Sequence, residues 1–572
     1  MERKEWKETG VFRRFSASSV PSVSLFFGAF ALYLFCAYPS IAPRDSADLA
    51  SAALGLTVAH PPGYPLYAVL GRAWLEAFPL GNPAYRLNVL SALCGAGAVA
   101  CFFIFLRRRT GQAASTAAAL GASLAFGSGA FFWKFCLLEE MYAAQALLLT
   151  LLLLLCEGEE KSHLKRLSLS GLLFGLGLVN HQSLALFAPA LFWLWREERR
   201  SLGGSALPDF GRFCAFCGLG LSLEFFLWIR LHDAGLAWDV LRRASYGTLT
   251  LFGPYSVALT PAAAGNLIAY LAKGLCKNGL PAVLLASVGV WMSWRADKKW
   301  FRGLALGFLF FGPLYFLATR FNLSQWTVRG VLAPDFIAPS LFLCAFCAYG
   351  LERLGRRAPF AVWPAALLLA AWPLAANAAA AIHRNDFSAY DYARDLRRDV
   401  PPGSAAVVGG DTALFGLHYL ELASPDSSGR IFIDATEQNL APEIADWMKN
   451  RPVYVAGLSE DRLAELGLMG NPFFLRPEGL CQEVERSPAA PARAISPARR
   501  NPFWVFSVQR FAPGGFRDPY VHDVRLSYGF AHYLSARLSQ SLDPAAASAQ
   551  YEAAFAADPG EYRIVLSSGK SL

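Results

Sequence analysis

The chain has 572 residues, 55% of them hydrophobic and 17% charged, with 44 Phe, 15 Trp and a formal net charge of +9. So apolar a composition excludes an ordinary soluble globular protein, and the length excludes a single small domain, which leaves a polytopic membrane protein with a soluble portion attached. The basic excess does not point to nucleic acid, because it falls in short clusters between apolar runs, where it sets topology or meets anionic lipid. Nearly all of the 11 cysteines lie inside apolar segments. The two CxxC pairs, Cys214/Cys217 and Cys344/Cys347, have no His or carboxylate nearby, so packing explains them better than zinc does.

Residues 1–19 are basic and precede an apolar run at 20–42, long enough to cross a hydrocarbon core of about 30 Å and lacking a signal-peptidase site. An uncleaved first span with a cytoplasmic N-terminus follows, which puts residues 43–88 outside. Later basic clusters at 107–109, 161–166, 196–200, 295–302 and 353–357 all fall on the cytoplasmic side of the same alternating count. The interval 167–195 is apolar except for Asn180-His181-Gln182. At about 1.5 Å per residue it is long for one span and short for two, and with basic residues on both sides an even number of crossings fits better. Two short helices are expected there, with His181 near the outer tip. The count reaches about eleven spans in residues 20–382. A long outer loop between 231 and 278 ends in an amphipathic stretch at 262–277 that is expected to lie at the interface, and a second outer loop covers 320–329.

After His383 the pattern becomes that of a soluble α/β domain, 383–512, with short strands expected at 405–408, 431–433, 453–455 and 504–508. Residues 513–572 read as a helical hairpin broken at Leu542-Asp543-Pro544, whose second arm, SAQYEAAFAADPG, is tetratricopeptide-like. Under the alternating count this C-terminal region is extracytoplasmic.

The residues able to carry chemistry gather on the expected outer face. Asp45 and Asp48 stand three apart ahead of an amphipathic run; that spacing suits a helix-capping box as well as a general base beside the membrane. His60-Pro61-Pro62-Gly63-Tyr64-Pro65 fixes a rigid turn, which would reverse the chain whether or not His60 reacts. Glu140 lies near a membrane boundary, as a functional carboxylate or as a snorkelling one. His181 needs partners in so apolar a run. Arg242, Arg243, Arg320 and Arg329 sit outside, where the topology rule does not require cations.

These residues resemble a known family, the membrane glycosyltransferases containing domain of unknown function 2723 (glycosyltransferase family 117), which include the transmembrane protein 260-like protein O-mannosyltransferases of the GT-C superfamily. The resemblance is carried by PRDSADLA at 43–50, AHPPGYPLY at 59–67, RLNVLSAL at 86–93, the Trp133, Glu140, Tyr142 element and the Asn180-His181-Gln182 triplet. Fainter matches are RRASYG at 242–247, the 329–334 element and GGDTALFGLHYL at 409–420. Two positions depart from the family: Arg44 replaces a glycine and Asp48 a glutamate.

The resemblance implies a GT-C bundle with a catalytic acid in its first outer loop and a polyprenyl-phosphate sugar as donor. In an inverting transfer to a protein or glycan hydroxyl, Asp45 would take the acceptor proton with Asp48 orienting it. Arg329 and Arg243 would contact the leaving phosphate, since a guanidinium can grip its oxygens in pairs. His60, Tyr64, Glu140, His181, Arg242 and Arg320 would line the substrate site. A divalent cation could share the charge stabilisation, though fixed cations can supply it alone. The competing readings are a transporter or flippase for a lipid-linked or anionic solute, for which Glu224 is the clearest intramembrane charge, and a non-catalytic assembly scaffold.

Overall fold

The computed structural model describes residues 10–110, 114–157, 163–203, 207–247, 256–324, 326–426, 428–437, 440–469, 473–486, 519–541 and 543–557. They divide into two units. The first comprises residues 1–38, 56–79 and 85–385, and the second 39–55, 80–84 and 386–572.

The first unit is helical throughout, as the apolar runs require. Among the described residues five helices are long and apolar enough to cross a bilayer: Pro83–Thr110, Leu207–Leu231, Lys298–Thr319, Val328–Arg357 and Pro359–Ala381. Pro261–Asn278 and Leu280–Ala296 make a sixth if counted as one span, but they meet at 105°. The bend keeps the amphipathic 261–275 segment distinct from the apolar helix after it, in line with its sequence pattern. The other expected crossings are shorter helices: Gly10–Cys36 with its apolar part Val20–Cys36, Ala114–Gly127, Tyr142–Leu155, His163–Asn180 and Ala188–Leu202. A helix of 14 residues reaches only about 21 Å, so length alone does not carry the count to eleven.

The interval 167–195 does divide as its length demands. A helix ends at Asn180, His181 is extended, a 3-10 turn runs over Gln182–Phe187, and the next helix starts at Ala188. Small residues let neighbouring helices approach closely. A Cβ on Gly175 would run into the carbonyl of Cys217, and one on Gly289 into that of Phe346. The 298–319 helix widens at Phe310–Leu314, where Pro313 offers no N–H and Gly312 leaves helical geometry.

The second unit is built on a five-stranded sheet of order β2-β1-β3-β5-β4, with β1 at Ala405–Val408, β2 at Ile431–Asp434, β3 at Val453–Ala456, β4 at Phe474–Glu478 and β5 at Cys481–Glu485. The first three run parallel, with Ala405 beside both Ile431 and Val453. β1 and β3 are buried at every position, as strands covered on both faces are, whereas β2, at the sheet edge, is partly exposed. The β4–β5 hairpin joins antiparallel to β3. It was not expected, because charge interrupts it: Arg476 lies against Glu478, Glu483 and Glu485. The strand expected at 504–508 falls outside the described residues.

Helices Ser388–Asp399 and Asp411–Ala423 cover one sheet face, through Tyr392, Leu396, Leu414 and Leu417. The hairpin of Pro519–Ser539 and Pro544–Ala557 places Val524 and Tyr528 in that same core and packs on itself through Tyr533 and Tyr551. Its second arm is capped where Asp543 accepts the N–H of Ala546 at 2.9 Å.

Candidate active site

The acidic pair belongs to the second unit. Asp45 accepts the N–H of Leu49 through its carbonyl at 3.0 Å, which puts it at the N-cap of helix Ser46–Gly55, with Asp48 in the first turn. The capping-box reading is therefore right about position, and it sets two carboxylates three residues apart at one helix start. Ahead of them Arg44 turns the chain with φ 71°, and its N–H donates to Thr412 Oγ1 at 3.0 Å. Leu49, Ala50 and Ala53 are fully buried, and the helix packs on Asp411–Ala423. On that partner Tyr419 accepts the N–H of Ala84 at 3.2 Å and donates to Asn82 at 3.5 Å, while Asn82 donates to the Pro39 carbonyl at 2.7 Å. The GGDTALFGLHYL motif thus anchors both short segments that leave the membrane unit's stretch of chain.

The first unit assembles a cluster of rings and one cation. Gly63 donates to the His60 carbonyl at 2.8 Å, closing a turn that contains a cis Pro61–Pro62 bond and the positive φ of Gly63 (93°) and Tyr64 (46°). Pro65 then starts helix Pro65–Ala77 with its φ already set. The His60 ring meets Tyr64 edge-on at 5.0 Å, Tyr64 stacks on His181 at 6.0 Å, and Tyr142 tilts against His181 at 5.3 Å. Three motifs far apart in the chain meet here.

The polar triplet in the apolar run is satisfied by this assembly. Asn180 donates to the Met141 carbonyl at 3.1 Å and to Gln145 Oε1 at 2.9 Å; Gln145 donates back to the His181 carbonyl at 3.1 Å; Gln182 donates to the Leu241 carbonyl at 2.8 Å. The Ser183 N–H donates to His181 Nδ1 at 3.2 Å, so in the neutral ring the proton is assigned to Nε2. Burial first, then the charges of Arg243 and His60, lower the His181 pKa to about 3. At neutral pH His181 is an uncharged hydrogen-bond donor.

Arg243 holds a left-handed backbone, φ 56°, with its guanidinium 5.1 Å from the Tyr246 ring centre. Its charge acts on His181, Tyr315 and Asp335, and Tyr315 and Asp335 are hydrogen-bonded to each other. The other expected cations have different surroundings. Arg242 is exposed and donates to Asp239 at 2.9 Å. Arg320 is exposed with φ 52°, and its carbonyl accepts the Val257 N–H at 2.8 Å. Arg329 is exposed and donates to the Leu323 carbonyl at 3.0 Å. Glu140 is no snorkelling carboxylate: it is 5% exposed, next to the fully buried Glu139, and Tyr67 lies within charge range of both.

The structure therefore brings together His60, Tyr64, His181 and Arg243, and gathers Asp45 and Asp48 on a different unit. The sequence reading missed Tyr315, Asp335 and Gln145. Asp335 had a usable signal, a carboxylate one residue past the 329–334 element at the mouth of a span. Among the described residues no three His, Cys, Asp or Glu side chains form a group that could hold a metal ion.

Residues 45–201 match the family model described as the Protein O-mannosyl-transferase TMEM260 N-terminal domain. The matched stretch starts at Asp45 and takes in Asp48, His60, Tyr64, Glu140 and His181, but ends before Arg243, Tyr315 and Asp335. The chain is 26% identical over 441 residues to Protein O-mannosyl-transferase TMEM260 of Mus musculus, covering 71% of this chain and 62% of the relative. It is 24% identical over 464 residues to the protein of the same name from Dictyostelium discoideum, covering 71% and 56%. It thus spans roughly three fifths of the length of these curated TMEM260 relatives. Among solved structures it resembles ArnT from Cupriavidus metallidurans bound to undecaprenyl phosphate, with a TM-score of 0.51 and 12% identity over 83% of this chain and 99% of that one. The fold is accordingly similar to that of ArnT, of the GT-C type, and the chain is an integral membrane protein.

Proposed function

We propose that this chain is an inverting glycosyltransferase that moves a sugar, mannose by the names of its relatives, from a polyprenyl-phosphate carrier to a hydroxyl of a protein or glycan on the extracytoplasmic side. The observation that supports it best is the meeting of His60, Tyr64, His181 and Arg243: aromatic faces, a neutral imidazole donor and a fixed guanidinium suit a sugar linked to phosphate. ArnT, similar in fold, is described as binding undecaprenyl phosphate. Asp45 acts as the base for the acceptor hydroxyl and Asp48 orients it. Arg243 and Arg329 stabilise the departing phosphate; His60, Tyr64, Glu140 and His181 line the substrate site, and Arg242 and Arg320 add positive charge that draws the anionic donor. Fixed cations of this kind lower the barrier without rearranging during the reaction. The transporter reading has no comparable support, since the named relatives are transferases. Composition rich in Ala and Arg suits a bacterial plasma membrane, whereas the two curated relatives come from eukaryotes; the reading requires only an outward-facing site.

The test is to incubate purified full chain with a panel of polyprenyl-phosphate sugars and a hydroxyl acceptor. Consumption of one donor with release of polyprenyl phosphate is the expected result. Survival of every donor, the mannose one included, would sink the reading.

A further inference from the structure

A cavity of about 220 Å³ lies in the first unit, at the far end of helix His163–Asn180 from His181. Its wall follows two helix faces: His163, Arg166, Ser170 and Phe174 on that helix, and Ala188, Leu191, Trp195 and Glu198 on Ala188–Leu202. Spacings of three and four put each set on one face. His163 meets Glu198, so the polar ends of the two faces coincide, and Phe174, Ala188 and Leu191 form an apolar end. Phe210 and Phe213 of Leu207–Leu221 close the side. Phe192 and Phe210 line the cavity and are themselves exposed, so it opens on a surface that a membrane protein turns to lipid.

The polar end is held by three helices. His163 is buried, with Nδ1 3.0 Å from Glu198 Oε1 and Nε2 2.9 Å from Asp209 Oδ2, and Arg166 pairs with the same Glu198. Arg199 Nε stands 3.4 Å from Asp209. These charges are paired, as buried charges must be. Trp195 is the exception: its indole Nε1 is buried and has no partner among the described residues. An indole nitrogen only donates, so this one calls for an acceptor oxygen from outside the chain. On the same turns Arg196 and Arg200 share Glu197, and Lys165 is exposed, which leaves the surroundings of the cavity basic.

We infer that the cavity is a site for an anionic phospholipid of the cytoplasmic leaflet, with one acyl chain along Phe174 and Leu191 and a phosphate or ester oxygen accepting the Trp195 N–H. The basic clusters 161–166 and 196–200 assign this end of the unit to the cytoplasm, and basic pockets between spans on that side bind anionic headgroups. From His163 to Phe174 the wall runs about 16 Å at about 1.5 Å per residue, close to half of a hydrocarbon core of about 30 Å. That depth suits the chain of one leaflet and is short for a polyprenyl tail. None of the lining residues has a role in the proposed transfer, so the site stands whether or not the chain moves sugar.

The experiment titrates the delipidated full chain in detergent with dioleoyl-phosphatidylglycerol, dioleoyl-phosphatidylcholine or polyprenyl phosphate and counts bound lipid by native mass spectrometry. One phosphatidylglycerol should bind saturably and about 5-fold more tightly than phosphatidylcholine, the weight of one charge among basic residues. Trp195→Phe, which keeps an aromatic ring and loses the N–H, should weaken phosphatidylglycerol binding about 3- to 10-fold. Ser170→Phe, which fills the cavity, should abolish it, and polyprenyl phosphate should leave the bound phospholipid in place. Equal binding of the two phospholipids, or undiminished binding in either variant, would overturn the inference. Displacement of phosphatidylglycerol by polyprenyl phosphate would assign the cavity to the carrier lipid and overturn it as well. Should Ser170→Phe not fold, Trp195→Phe decides alone.

Discussion

The two units hold their candidate residues by opposite means. In the second unit the carboxylates of Asp45 and Asp48 are fixed by a helix start and by backbone bonds to one distant helix, Asp411–Ala423. In the first, the rings of His60, Tyr64, Tyr142 and His181 and the guanidinium of Arg243 come from separate elements and are held by side-chain contacts. In the proposed mechanism the acid chemistry thus depends on a short stretch of local structure, and anion recognition on long-range packing. Disturbing either should leave a distinct kinetic signature.

The largest effect is expected at the turn that presents His60. Gly63→Ala must adopt φ 93° and place its Cβ 2.6 Å from Leu227 Cδ2; strain and overlap together should destabilise the chain by about 2–4 kcal/mol, seen as a lowered unfolding temperature and weaker donor use. Asn180→Leu comes next. It leaves the Gln145 oxygen without its donor and takes one of two donors from the Met141 carbonyl, which keeps the Gln145 N–H, at a cost of about 1–3 kcal/mol, again with donor KM rising first. Thr412→Val keeps the shape of the second unit but removes the acceptor of the Arg44 N–H, worth about 1 kcal/mol. Its signature is reversed: kcat falls while donor KM holds. If Thr412→Val moved donor KM and spared kcat, the division of labour would be wrong.

The smallest effects separate the units by pH. Burial lifts Asp395 to about 7, beneath a hydrogen bond from Tyr528 at 3.0 Å. Its folded pKa lies above the unfolded value, so its contribution is complete below about 4 and is lost as pH rises through 7. For His181 the folded value of about 3 lies below the unfolded one. Its contribution is complete above about 6.5 and is lost as pH falls toward 3. Between about pH 4 and 6.5 the two contributions change in opposite directions and largely offset, so the wild-type unfolding temperature should stay nearly level there. Asp395→Asn should leave a profile that rises with pH across this window, and His181→Gln one that falls. A variant whose profile stayed level would mean the residue it replaces does not make the stated contribution.

Much of this was legible because the physics is local. Apolar length located the helices, three parallel strands announced themselves as continuous apolar runs, and the polar Asn180-His181-Gln182 triplet marked where one apolar interval had to break. The β4–β5 hairpin was not legible, since its stability comes from charges paired across strands, a pattern that in one dimension looks like loop. Tyr315 was missed for a related reason: it is unremarkable among its neighbours in sequence, and although Asp335 carried a signal one residue past the 329–334 element, its hydrogen bond to Tyr315 was not legible. The capping geometry of Asp45 was readable, but its anchor on Thr412, far along the chain, was not.

The central claim is that Asp45 removes the acceptor proton while other residues bind the donor. It is tested most directly by comparing wild type and Asp45→Asn for transfer from a polyprenyl-phosphate mannose and, in the same preparations, for binding of polyprenyl phosphate. Transfer should fall about 100- to 10,000-fold, the usual weight of a general base, with binding unchanged. Turnover within a few-fold of wild type in a well-folded Asp45→Asn protein would contradict the account.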